Sequence, residues 1–139
     1  MRKHKIPIDK VQEAFNSAIK RRDCRCMIRD CESCFGQLEC SHFFGTGSNP
    51  SIRFYPLNAY TQCQKHHFNH HNKKEKFYEQ WMQENHYKDY CLMQYLRNRT
   101  IKYTDELKSE IIRLCNEDKL EELRKLIEME LMEGYGESM

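Results

Sequence analysis

Four of the chain's seven histidines fall within CQKHHFNHHN, residues 63–72, a stretch that opens on a cysteine. Imidazole and thiolate at this density point to metal chemistry, to a protonatable patch facing nucleic acid, or to both. Upstream, Cys31 and Cys34 are separated by two residues, and Cys63 and His66 repeat that spacing. Zinc takes thiolate and imidazole ligands in a tetrahedron, and a two-residue spacer lets one backbone turn offer two of them. Cys31, Cys34, Cys63 and His66 therefore predict a Cys3His structural zinc that pins both ends of the segment between them. Cys24 and Cys26, with one residue between them, rank second as ligands, and Cys40, His67 or His70 could substitute. Cys91 and Cys115 lie in helical patterns and read as core thiols.

Between the two half-sites runs ECSHFFGTGSNPSIRFYPLNAYTQC. His42 ends one extended run, Asn58 follows sixteen positions later, and His67 sits just past the second half-site. That order resembles the HNH (His-Me finger) nucleases. The wider run from RDCESC through QCQKHH is similar to the NinG/Rap family of phage recombination endonucleases, over about residues 29–113. The resemblance implies a zinc-stabilised ββα-metal core in which His42 is the general base and Asn58 ties the loop and orients it. It implies that His67 binds a catalytic divalent cation, Mg²⁺ or Mn²⁺, with Asn72 and Glu39 as supplementary oxygen ligands. It also implies branched DNA, such as Holliday junctions and D-loops, as substrate, and the cytoplasm of a bacterial host as location, encoded by a phage or prophage. Arg53 has the planar fork to hold a neighbouring phosphate.

The chain departs from these patterns at three places. Ser41 stands where the general HNH pattern has Asp, His66 replaces a zinc Cys, and His67 replaces an Asn. A nitrogen ligand at His67 moves preference from Mg²⁺ toward Mn²⁺, Ni²⁺ or Zn²⁺. Plainer readings compete: His42 as a strand histidine, Asn58 as a turn residue after Pro56 and Leu57, Arg53 as a surface cation. Two rival functions follow. One is a non-catalytic zinc-finger DNA-binding or adaptor protein, in which His42 is dispensable; the other is an HNH nicking endonuclease on ordinary duplex DNA.

The elements that must hold these residues are short. With 139 residues, 39% hydrophobic and 32% charged, the chain supports one thin-cored domain with an extension, which a structural metal helps to fold. The fold class predicted is α+β, mainly helical. Residues 1–29 form a basic N-terminal helix and linker, 30–85 the zinc-containing ββα-metal core, and 86–139 a helical C-terminal extension, a candidate dimer element. Asp9 with Gln12 predicts a capping box for a helix over about 10–22, and Asp118 with Glu121 predicts another near the C-terminus. Residues 37–44 alternate as a strand, and a second extended run precedes the histidine stretch. Helices are predicted over about 67–85, over 87–99, and from Asp105 onward.

The net charge is only +2, but it is unevenly spread. Residues 1–29 carry nine Lys/Arg against three Asp/Glu, whereas 104–139 carry five against eleven. Lys65, His70, His71, Lys73, Lys74 and Lys76 make a basic edge suited to phosphate contacts. Arg2, Lys3, Lys5, Arg21, Arg22 and Arg25 offer a second contact. No apolar run reaches the ~18 residues a membrane span needs, and no secretory h-region is expected at the N-terminus. Reduced, metal-bound thiols fit that reading better than disulfides.

Overall fold

A computed structural model describes residues 5–28, 34–71 and 77–137, the side chains of 69–71, 77 and 133–137 excepted. The fold is mixed α and β and mostly helical, as expected. Helix α1 (Ile8–Asp23) leads to a two-stranded antiparallel sheet of β1 (Leu38–His42) and β2 (Ala59–Cys63). Then follow α2 (Gln64–His71), α3 (Phe77–Asn85), α4 (Tyr87–Leu96), α5 (Asp105–Asn116) and α6 (Leu120–Glu137). Among the described residues, no helix is long and apolar enough to cross a membrane.

Two strands cannot hold themselves together in water, so both faces of the sheet must be covered. The register pairs Leu38 with Cys63, Glu39 with Gln62, Ser41 with Tyr60 and His42 with Ala59. Alternation then divides the sheet. One face carries Cys40, His42 and Thr61 toward α1: His42 stacks on Phe15 at 5.5 Å, and the Thr61 hydroxyl donates to the Ile19 carbonyl at 3.4 Å. The other face carries Glu39, Tyr60 and Gln62 toward α2 and α3, where Tyr60 meets Trp81 edge-on at 4.8 Å.

The C-terminal end of α1 is fastened to the sheet by charge. Asp23 accepts from the Thr61 backbone amide at 2.8 Å and pairs with Arg22 at 2.7 Å. Arg22 in turn donates to the carbonyls of Pro56 and Ala59. Arg21 bonds to Asp118 at 2.7 Å and to the Cys115 carbonyl. These two arginines, predicted as DNA contacts, thus have structural partners inside the chain.

Neither predicted capping box forms. Helix α1 begins at Ile8 after Pro7 and has no side-chain cap, because Gln12 instead bonds to Asn16 and Arg53. Asp118 has φ +58° and belongs to the end of α5. The amides of Asp118 and Lys119 return to the carbonyls of Cys115 and Leu114, a Schellman closure. The side-chain cap that does form is Thr104, whose hydroxyl accepts from the Leu107 amide at 3.1 Å.

The C-terminal helices share one hydrophobic core with the sheet. Leu107, Ile111, Leu114, Leu123 and Ile127 are buried together with Val11, Phe15 and Phe54. At the opposite end of α5, Ile6 donates its amide to Asp105 and accepts from Lys108. The apolar stripe of α5 and α6 thus contributes Leu107, Ile111, Leu114, Leu123, Ile127 and Leu131 to the chain's own core. Ile111→Ala should cost about 2–5 kcal/mol. Heat or denaturant should then lower a single transition followed both at the helices and at the zinc; two separate transitions would mean the extension folds apart.

Candidate metal centre and flanking polar site

Cys26, Cys34, Cys63 and His66 place one ligand atom each within 4.8 Å of one another. Three local features bring them together. After α1, Cys24 takes a left-handed φ of +62° and turns the chain, and the Met27 amide then bonds to the Thr61 carbonyl at 2.8 Å. The turn runs residues 25–28 alongside β2 and sets Cys26 beside Cys63. On the opposite side, Gly36 has φ +86°, and a Cβ there would lie 2.5 Å from the Gln64 side chain. That close approach lets the Lys65 amide reach the Phe35 carbonyl at 3.1 Å and docks the Cys34 turn on the start of α2. Finally, Cys63 ends β2 and His66 lies one turn into α2, so their spacing needs no further help.

The distances suit zinc. Tetrahedral bonds of about 2.3 Å to sulfur and 2.1 Å to nitrogen put sulfur and nitrogen about 3.6 Å apart. The His66 Nδ1 lies 3.1 Å from the Cys63 sulfur, 3.5 Å from that of Cys26 and 3.9 Å from that of Cys34. Charge points the same way. Burial pushes the Cys26 thiol up to about 12, and the neighbouring Cys63 and Cys34 add to the rise. Burial also opposes ionisation of Cys63, but backbone amides of His66 and Phe35 and the His66 imidazole overcome it and hold its pKa at about 7. Three thiolates this close repel one another unless a cation sits among them, and a structural dication reverses that penalty. The cluster can therefore hold a structural metal such as zinc.

Cys34, Cys63 and His66 of the expected set are brought together; Cys31 lies outside the described residues. Cys26, ranked second from spacing, is in the cluster, while Cys24 is exposed and hydrogen-bonds to the Arg21 carbonyl. No sequence signal marks Cys26, because a left-handed turn at Cys24 redirects the chain and sets Cys26 inward.

The second group of predicted residues lies around the far end of β1. His42 donates from Nε2 to the Arg53 carbonyl at 2.9 Å. A carbonyl only accepts, so Nε2 carries the proton and Nδ1 keeps its lone pair. Nδ1 makes no hydrogen bond among the described residues. Burial lowers the His42 pKa to about 4, despite the opposing bond to Arg53; the charges of Arg53 and His67 add smaller decreases. Asn58 is fully buried and holds the intervening loop at two places. Its Oδ1 accepts from the Phe44 amide at 2.8 Å, and its Nδ2 donates to the carbonyls of Phe44 and Ile52. Holding Ile52 fixes the adjoining Arg53 carbonyl on which His42 rests. The Arg53 side chain donates to the neutral Gln12 at 2.6 Å and, among the described residues, has no acidic partner.

His67 faces the opposite side of the sheet and bonds through Nδ1 to the Glu39 carboxylate at 2.8 Å. Gln62, opposite Glu39 in the register, buries an Oε1 that has no hydrogen-bond partner among the described residues. Ser41, at the position where the HNH pattern has Asp, is fully buried, and its hydroxyl has no partner among the described residues, so it presents no exposed cation ligand. Among the described residues, the zinc-type cluster is the group of three or more His, Cys, Asp or Glu ligands arranged around one point. Asn72, Lys73, Lys74 and Lys76, and the side chains of His70 and His71, lie outside the description; Lys65 is half-buried at the start of α2.

No family model, curated protein or solved structure matches this chain.

Cys26→Ser should reduce zinc retention, measured as equimolar zinc after dialysis against a weak chelator, while Cys24→Ser should leave it intact. Equal retention in the two variants would remove Cys26 from the ligand set. Gly36→Ala should destabilise the zinc-loaded fold by at least ~1 kcal/mol, because φ is positive there and Gln64 is in the way.

Proposed function

We propose that the chain is a metal-dependent endonuclease of the ββα-metal (HNH) type that hydrolyses phosphodiester bonds in branched DNA during phage recombination. The observation that carries this reading is the fixed tautomer of His42. A general base needs a lone pair not spent on a hydrogen bond and a neutral ring at working pH. The Arg53 carbonyl supplies the first by taking the Nε2 proton, and burial supplies the second. Asn58 supports both by fixing the loop that presents the carbonyl.

In the proposed reaction, His42 Nδ1 accepts a proton from water, the water oxygen attacks the phosphorus, and the 3′ oxygen departs. By the resemblance, a divalent cation held by His67, Mg²⁺ or Mn²⁺, would neutralise charge on the phosphate and the leaving oxygen; because Glu39 holds His67 on the sheet face opposite the His42 ring, His67 would have to turn toward the strand end to do so. Arg53, held by a neutral amide, can exchange Gln12 for a phosphate oxygen and fix an adjacent nucleotide. Lys65 and the basic run after α2 would bind backbone phosphates without reading sequence, which suits recognition of DNA shape.

The stacking of His42 on Phe15 also favours a second reading, in which His42 is a core residue of a zinc-stabilised DNA-binding module. His42→Ala separates the two. Zinc content and DNA binding should persist while junction cleavage falls at least ~10²-fold; unchanged cleavage would defeat the nuclease reading. Comparing four-way junction, nicked and linear DNA distinguishes branched from ordinary duplex substrates.

The pH dependence follows from the depressed pKa. Because neutral His42 is the base, the acid limb of kcat/KM should fall near pH 4 rather than at the usual histidine value of 6.5. Stability has the same sign. Between those two values the unfolded chain binds a proton that the folded chain excludes, so stability drops as pH falls through the window. His42→Gln should flatten that slope in denaturant titrations at several pH values.

A further inference from the structure

Helix α4 gives the protein only one of its sides. The inner side carries Met93 and Leu96, both buried, and Tyr90, whose ring meets Phe43 edge-on at 5.8 Å and stacks on Phe44 at 6.2 Å. The Leu96 carbonyl accepts from the buried Ser51 hydroxyl at 3.0 Å, so the helix is seated on the segment that leads to Arg53. The outer side is not an ordinary solvated face. Tyr87 is 62% exposed, Tyr95 42% and Leu92 38%, and helical periodicity places all three on one side, with the exposed Lys88 among them. Arg99, one turn beyond Tyr95, lies over that ring at 5.9 Å from its centroid and is anchored there by donating to the Leu131 carbonyl at 3.2 Å. The single carboxylate of α4, Asp89, falls on the other side of the helix, 3.4 Å from His86 Nδ1. The outer face therefore combines exposed aromatic rings with positive charge and carries no acid.

We propose that the outer face of α4 binds unpaired DNA, with Tyr87 and Tyr95 stacking on bases and the charge of Lys88 and Arg99 drawing in the phosphates. A polyanion whose units each present a flat apolar surface matches both halves of that face, and stacking of bases on aromatic rings tolerates any sequence. The two rings are eight residues apart, about 12 Å along the helix axis, so each takes a base of its own. A duplex keeps its bases stacked on one another, whereas a strand freed at a branch point does not, so the face selects single strands. The inference rests on the DNA-acting reading for the choice of polymer, but it is measured without any cleavage.

The test is binding of labelled oligo(dT) to the zinc-loaded 139-residue chain, followed by fluorescence anisotropy without added divalent cation. The chain should bind oligo(dT) more tightly than an abasic strand of the same length and charge, and more tightly than the matching duplex. Affinity for oligo(dT) should fall at least ~5-fold in Tyr87→Ala and in Tyr95→Ala, while the abasic strand is bound as before. Tyr87→Phe and Tyr95→Phe should keep the affinity, because the ring stacks and the hydroxyl does not. Equal binding of the abasic strand and oligo(dT) overturns the inference, since phosphates alone would then be recognised. Unchanged affinity in both alanine variants overturns it too, as do phenylalanine variants as weak as the alanine ones. Self-association of the chain that Tyr95→Ala abolishes while oligo(dT) affinity stays unchanged would assign the face to a second copy and likewise overturn it. Failure of the nuclease reading appears separately, as unchanged junction cleavage in His42→Ala.

Discussion

The fold depends on one constraint: a sheet of only two strands has to be closed at the end where β2 passes into α2. Cys26, Cys34, Cys63 and His66 meet at that end from three chain segments. Each thiol alone is poorly placed, since burial opposes charge on Cys26 and mutual repulsion opposes charge on all three. A dication converts that cost into attraction and closes the segments in one event. Everything that follows along α2, beginning with His67, takes its position from that closure.

Each side of the sheet near the strand end is governed by one polar contact. On the α1 side, His42 is deprived of solvent and given a carbonyl, which keeps it neutral and fixes its proton on Nε2. On the α2 side, His67 is given a carboxylate, which fixes its proton on Nδ1. Asn58 links the loop to the first of these by satisfying backbone groups that a long Gly- and Pro-containing segment would leave buried and unpaired. A single asparagine is suited to this because it offers a donor and an acceptor from one rigid plane.

Much of this organisation was legible in the residues, and the limits have physical causes. Cys63 and His66 were readable as a pair because one helical turn fixes their separation whatever the rest of the chain does. The loop-tying role of Asn58 came from the family resemblance, since the residues alone read it equally as a turn asparagine after Pro56 and Leu57. Cys26 was not, because its position depends on the left-handed turn at Cys24 and on the Met27–Thr61 bond, which joins residues far apart in sequence. The capping signals of Asp9 and Asp118 failed where tertiary partners competed: Gln12 is engaged by Arg53, and Asp118 by Arg21. The amphipathic C-terminal helices were correctly visible, but periodicity cannot say whether the apolar stripe meets its own chain or another. Packing against α1 accounts for the buried residues of that stripe.

Zinc K-edge X-ray absorption on the 139-residue chain loaded with one equivalent of zinc tests the central claim most directly. The account predicts a first shell of three sulfurs at about 2.3 Å and one imidazole nitrogen at about 2.1 Å. A shell dominated by oxygen and nitrogen, or one with fewer than three sulfurs, would contradict it.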